Sequence, residues 1–160
     1  MAAAASYILL LGAGTIWPGT VSTGWTSTTK IQGAEVSAVR WRASLPEAIS
    51  EASSQRKPLL IDFYADWCIA CKELDLYTYT DADVGKAMEG LVAVKLDGTD
   101  SEDPRFQEPY QKYGVLGLPT VLFLTPDGQV LSNLTLTGFE PPKEFLKRIA
   151  AAKAASPAGQ

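Results

Sequence analysis

The chain has 160 residues, 46% of them hydrophobic, which is long enough for one ordinary core without disulfide staples. Its formal net charge is −4 with no run of Lys or Arg, which argues against a nucleic-acid surface, because phosphate binding relies on clustered cations. Histidine is absent, which removes the usual general base, the commonest zinc ligand and the near-neutral pH switch, so catalysis has to run on thiols and carboxylates.

No charged side chain occurs from Ala2 to Thr29, and Tyr7 to Trp17 is strongly apolar before Pro18-Gly19 breaks the run and a Ser/Thr/Gly-rich stretch follows. A complete membrane span needs about 20 apolar residues, and a signal peptide needs a basic leading region. The run has neither. Three readings fit it: the end of a transmembrane helix of a longer protein with Trp17 as an interfacial anchor, an uncleaved or incomplete export segment, or an ordinary buried segment. The expected organisation is an apolar, membrane-proximal segment and flexible linker over 1–34, a folded domain over 35–153 and a disordered tail over 154–160.

Apolar and polar positions alternate over 35–42, which predicts a short edge strand. Ser44-Leu45-Pro46-Glu47 reads as a capping box with proline in the first turn, so a helix runs from there to about residue 54. The near-continuous hydrophobicity of 59–64 fits a strand buried on both faces of a parallel sheet. Ala65-Asp66-Trp67 then turns the chain into a helix that carries Cys71 to about Tyr77, and Asp81-Ala82-Asp83-Val84 opens a short helical piece before a second strand at 91–96. Asp103-Pro104 reads as an N-cap followed by proline, starting a helix that ends near Tyr113-Gly114. A strand at 120–124, the turn Pro126-Asp127-Gly128 and a strand at 130–137 predict a hairpin. Pro141-Pro142 begins the last helix, in which Phe145, Leu146 and Ile149 recur at helical spacing. The order β-α-β-α-β-α-β-β-α implies an α/β domain with a mixed central sheet and helices on both faces.

Cys68 and Cys71 are the only cysteines, spaced C-x-x-C at the end of the apolar run over 59–64. A pair so spaced can close into a small disulfide ring and reopen if the first turn of a helix holds it. Cys68 stands where unsatisfied N–H groups favour a thiolate, so it is the expected nucleophile. Cys71, one turn inward, is placed to resolve the mixed disulfide. The alternative is half of a metal site, but with no other Cys and no His a zinc ion would need carboxylates or a second chain. No metal and no cofactor beyond the redox-active disulfide is expected.

Asp62 lies six residues before Cys68 in a strand that otherwise holds no charge. Burying a carboxylate is costly unless it is paired or protonated, so it is either a proton acceptor and donor for Cys71 or a partly wet strand-end residue. Asp75, four residues after Cys71, would share its helix face and raise the thiol pKa values, or stand exposed as helical aspartates commonly do. Leu118-Pro119-Thr120 gains meaning beside the cysteines: with a cis bond, the Leu118 backbone is free to pair with an extended substrate segment. Trp67 is expected both to pack at the core edge and to cover Cys68. Gly138 either marks a close backbone approach near the site or is a plain turn glycine.

Asp62-Phe63-Tyr64-Ala65-Asp66-Trp67-Cys68-Ile69-Ala70-Cys71-Lys72, with Gly117-Leu118-Pro119-Thr120 further on, resembles the thioredoxin superfamily. More narrowly, F-Y-A-D-W-C-x-A-C-K-E and V-L-G-L-P-T resemble the C-terminal periplasmic domains of the DsbD family of bacterial transmembrane thiol:disulfide interchange proteins, over about residues 44–149. The resemblance implies a thioredoxin fold and a protein-disulfide reductase. In this picture Cys68 and Cys71 accept electrons from a membrane-embedded domain and pass them to a periplasmic domain serving disulfide isomerases and cytochrome c maturation. The domain would be a monomer in the bacterial periplasm, tethered to the inner membrane through its N-terminal side. Two departures stand out: Ile69-Ala70 replaces the Gly-Pro of ordinary thioredoxin, and Asp75 stands where the narrower family commonly has Glu. Two competing readings are a free-standing membrane-anchored thioredoxin-like protein of cytochrome c maturation, and a non-catalytic dithiol copper carrier or binding module.

Overall fold

A computed structural model of the chain describes residues 39–156. The apolar segment and linker expected over 1–34, the start of the first expected strand and residues 157–160 lie outside the described part. Four strands form one sheet in the order β1-β3-β2-β4. These are β1 (Trp41–Arg42), β2 (Leu59–Tyr64), β3 (Val92–Asp97) and β4 (Thr120–Leu124). β1 and β2 run parallel to β3, and β4 runs antiparallel to β2, which makes the sheet mixed.

The helices begin where short polar side chains can take the free N–H groups of a first turn. Ser44 Oγ accepts from the Glu47 N–H at 3.4 Å ahead of α1 (Leu45–Gln55), although no return bond from Glu47 completes the expected box. Asp81 Oδ1 accepts from the N–H groups of Asp83 and Val84 at the start of α3 (Ala82–Met88), and Asp103 Oδ1 from Arg105 N–H at the start of α4 (Pro104–Lys112). The helix after the C-x-x-C differs from expectation. α2 (Ile69–Glu73) is short and passes into a π-helical turn at Leu74–Thr78, closed by the Tyr79 N–H donating to the Leu74 carbonyl at 2.9 Å. α5 (Pro142–Ala155) continues past residue 153, where the tail was expected to begin.

The two faces of the sheet carry separate cores, because successive strand side chains point to opposite sides. Leu59, Ile61 and Phe63 of β2, with Val92, Val94 and Leu96 of β3, pack on the side of α1 and α4. Leu60 of β2 and Ala93 of β3 pack on the other side with Leu74, Tyr79, Val84, Phe145 and Ile149, which come from the π-helical turn and the residue after it, α3 and α5. By the same alternation, Asp62 and Lys95 share that second face.

The hairpin strand expected over 130–137 is reduced to two isolated antiparallel bridges, Leu124 with Val130 and Val121 with Leu136. Between them Ser132–Leu134 takes a 3-10 turn in which the Leu134 N–H donates to the Leu131 carbonyl at 2.8 Å. The turn folds Leu134 into the core and interrupts the ladder that an unbroken strand would have made.

Candidate functional site

β2 ends at Tyr64, and the chain reverses through Ala65-Asp66-Trp67 into α2. Three bonds hold this turn: Cys68 N–H to the Ala65 carbonyl at 3.0 Å, Asp66 N–H to Thr99 Oγ1 at 2.9 Å, and Gly98 N–H to the Tyr64 carbonyl at 2.8 Å. Cys68 occupies the N-cap position with extended backbone, φ −86° and ψ 108°, and its Sγ accepts from the Cys71 N–H at 3.2 Å. The sulfur stands where a helix start ordinarily has an oxygen acceptor, and a thiolate there is stabilised by the same donor.

Cys68 and Cys71 form a disulfide with an S–S bond of 2.03 Å and Cα atoms 5.3 Å apart. Both residues are nearly covered, Cys71 at 3% exposure and Cys68 at 6%, and they pack with Ala65, Tyr64 and Leu118. Leu118 is therefore brought to the pair, and the Leu118–Pro119 bond is cis. Thr120 Oγ1 donates to the Gly117 carbonyl at 2.7 Å, bracing the bend in which Pro119 lies buried. A groove of about 660 Å³ runs along this loop between Ala70, Leu116, Leu118, Pro119, Val130 and Gly138. Gly138 lines it with φ +125°, a left-handed conformation that favours glycine. Trp67 departs from expectation: it is 64% exposed and stands out beside the pair instead of packing at the core edge.

Asp62 is 2% exposed, between β3 and β4, with Lys95 and Val121 as its register partners. Burial raises its pKa to about 6; the Lys95 charge opposes that rise, the Asp75 charge adds to it, and the Tyr79 hydroxyl lowers it again. Lys95 Nζ is 3.7 Å from Asp62 Oδ2 and forms a close ion pair with Asp75. The ammonium also sits over three aromatic rings, Tyr64 at 4.6 Å, Trp41 at 5.1 Å and Tyr79 at 5.5 Å, which hold a cation by their quadrupoles. Asp75 is thus joined to Asp62 through a shared cation.

Lys95 and Tyr79 are the functional candidates missed in the sequence. Lys95 carries the signal that singled out Asp62, a charge inside an apolar run, but its pairing with Asp62 depends on parallel register. Tyr79 lies five residues after Leu74, which an α-helix would turn to another face and which the π-helical turn brings inward. Among the described residues no group of three or more His, Cys, Asp or Glu could hold a metal ion, and no helix is long and apolar enough to cross a membrane.

A disulfide closed over one helical turn, with a titratable carboxyl group buried in the strand that leads to it, can be opened by an external thiolate and re-formed by its own resolving thiol. Known proteins resemble the chain in sequence and fold. The chain is 40% identical over 118 residues to the thiol:disulfide interchange protein DsbD of Colwellia psychrerythraea, covering 74% of this chain and 19% of that protein. It spans about a fifth of the length of such relatives. The C-terminal domain of Neisseria meningitidis DsbD in its oxidised form superposes with a TM-score of 0.62 at 27% identity, covering 71% of this chain and 99% of that domain. A thioredoxin from Thermus thermophilus superposes with a TM-score of 0.65 at 26% identity, covering 76% of this chain and 92% of that one. A family model described as thioredoxin-like matches residues 40–126, from the first strand to the start of the turn after the last. The chain therefore belongs to the thioredoxin-like family, with Cys68 and Cys71 as its closed C-x-x-C pair.

Proposed function

We propose that the chain is the reductase domain of an electron relay, reduced by a membrane-embedded donor domain and passing two electrons to disulfides of periplasmic partner proteins. The observation that carries this reading is the Cys68–Cys71 pair packed against Leu118 of the cis-proline loop, in a chain similar to the C-terminal domains of the interchange proteins. In the reduced domain the Cys68 thiolate attacks one sulfur of a partner disulfide; a Cys68–partner bond forms and the other partner sulfur leaves as a thiolate. Cys71 gives its proton to ionised Asp62 and attacks Cys68 Sγ. The Cys68–Cys71 bond closes, the second partner thiolate is released, and the partner has gained two electrons.

Trp67, Leu118, Pro119 and Thr120 receive the extended segment that carries the partner disulfide, and Asp75 acts on Asp62 through Lys95. The reaction uses no cofactor other than the dithiol itself. The domain works as a monomer on the periplasmic side of the inner membrane, tethered through its N-terminal side, and its acceptors include the route that serves cytochrome c maturation.

Equilibration of the pair with glutathione or dithiothreitol tests the direction of flow. A reduction potential near or below thioredoxin's roughly −270 mV supports a donor of electrons, whereas a value near the roughly −120 mV of DsbA reverses the proposed direction. In an exchange assay with an acceptor protein disulfide, Cys71→Ser should trap a mixed disulfide with the acceptor, and Cys68→Ser should trap nothing and transfer nothing.

A further inference from the structure

Two oxygens on the second face of the sheet are buried without a partner at ordinary hydrogen-bond length and angle: Asp62 Oδ1 and the hydroxyl oxygen of Tyr79. They belong to one cluster. Asp62 shares its face with Leu60, which packs in the same core as Tyr79, and both groups lie against the Lys95 ammonium, the carboxylate at 3.7 Å and the ring centre at 5.5 Å. Each acts on the ionisation of the other. The Tyr79 ring is fixed by edge-on packing against Trp41 at 5.0 Å and Phe145 at 5.6 Å, so its hydroxyl has one direction to point. An unmade hydrogen bond at a buried polar atom costs on the order of 1–3 kcal/mol. A donor and an acceptor that are both orphaned in one cluster relieve that cost by closing on each other.

We propose that Tyr79 is a positioning residue of the exchange reaction, its hydroxyl donating to Asp62 Oδ1 while Lys95 holds Oδ2, so that the carboxylate is kept ionised and oriented until it takes up the Cys71 proton. This rests on the proposed role of Asp62 as the proton acceptor. The groups that face Asp62 are few: Lys95 from β3, Asp75 from the π-helical turn and Tyr79 just after it, while β4 contributes the apolar Val121. Tyr79 keeps its proton throughout, because burial and the neighbouring Asp62 carboxylate push its pKa well up. It is a permanent donor, and each proton that Asp62 gains or loses is felt by one fixed hydroxyl.

The test is Tyr79→Phe in the otherwise intact chain, read by carboxyl carbon NMR of Asp62 across pH in the disulfide form, where no electron transfer is involved. The midpoint, about 6 in the unaltered chain, should move upward by about half a pH unit or more, because the ionised form loses a donor. The acid limb of the pH–rate profile for reduction of a protein disulfide should move with it. A double variant then separates orientation from packing. With Asp62→Asn already in place, adding Tyr79→Phe should leave the pH–rate profile where it was. An unmoved Asp62 midpoint overturns the proposal, as does an equal rate loss in both backgrounds. Should Tyr79→Phe not fold, the ring carbon bearing the hydroxyl in the unaltered chain serves instead. Its shift should follow the Asp62 titration, and a flat response there also overturns the proposal. If the midpoint moves while exchange with protein disulfides is absent, the reductase reading fails and the Tyr79–Asp62 pairing stands.

Discussion

Burial of Asp62 raises its affinity for a proton in the folded chain, and by linkage the same burial makes stability depend on pH. The folded value is about 6 against an ordinary 3.8. Below pH 3.8 the group is protonated in both states and contributes nothing to the difference. As pH rises from 3.8 to 6 the unfolded chain gives up the proton first, so stability falls through that window, and the full penalty is present above it. At 1.36 kcal/mol per pH unit the penalty comes to about 3 kcal/mol. Asp62→Asn should therefore raise the unfolding free energy at pH 7–8 by up to about 3 kcal/mol and flatten its slope between pH 4 and 6. The same variant should slow disulfide exchange, because Cys71 loses the proton acceptor proposed for it. Urea unfolding across pH and an exchange assay on one sample check both. A variant that is no more stable at pH 8 than at pH 4, relative to the unaltered chain, would show that the carboxyl group does not titrate in that window. The Lys95 ammonium is the main reason the penalty is not larger, since it stands 3.7 Å from the carboxylate and is itself held over three rings.

At the scale of elements, the junction between β3 and α4 beside the site is closely packed. Gly98 follows β3 and ties back to Tyr64 through its N–H, and a methyl group added at its Cα would lie inside the contact distance of the Phe106 ring. That ring cannot swing aside freely, because it is buried against Phe63 and Tyr110 at 6.0 Å and 5.1 Å. Gly98→Ala should cost about 1–3 kcal/mol by overpacking, measured as a lower urea midpoint with an unchanged slope. Much of this architecture was legible beforehand. The bounds of β2 and β4 follow from their apolar runs, and Ser44, Asp81 and Asp103 cap helices as short polar residues ahead of apolar periods do. Cys68 and Cys71 announce themselves by spacing, and Asp62 by a charge where none belongs. What the local pattern does not hold is anything set by long-range partners. The broken final strand follows from how Leu134 turns into the core. The Lys95 pairing follows from a strand register over thirty residues away in sequence. Tyr79 depends on one extra residue in a helical turn, which periodicity at 3.6 residues does not reveal.

For the molecule as a whole, reaction with a protein disulfide requires that a partner reach two sulfurs that are almost covered, and the surface around them carries apolar groups that a solitary globule would have little reason to expose. Trp67 and Ile69 flank Cys68 in the chain and both stand exposed, and Leu116, at the rim of the groove along the cis-proline loop, is 97% exposed. Such a side chain adds nothing to the core. Its apolar surface is removed from water only when something docks, which for a leucine is worth roughly 1.5 kcal/mol or more if most of it is covered. Leu116→Asp should thus leave the urea midpoint and the reduction potential unchanged, while lowering kcat/KM toward a protein disulfide about tenfold, since 1.4 kcal/mol is a factor of ten. Toward a small disulfide such as oxidised glutathione, which is too short to cover the rim, the rate should hold within about twofold. The split between the two substrates carries the conclusion. An equal loss toward both would mean that the substitution acts on the cysteines themselves, and no loss toward either would remove this rim from the docking surface.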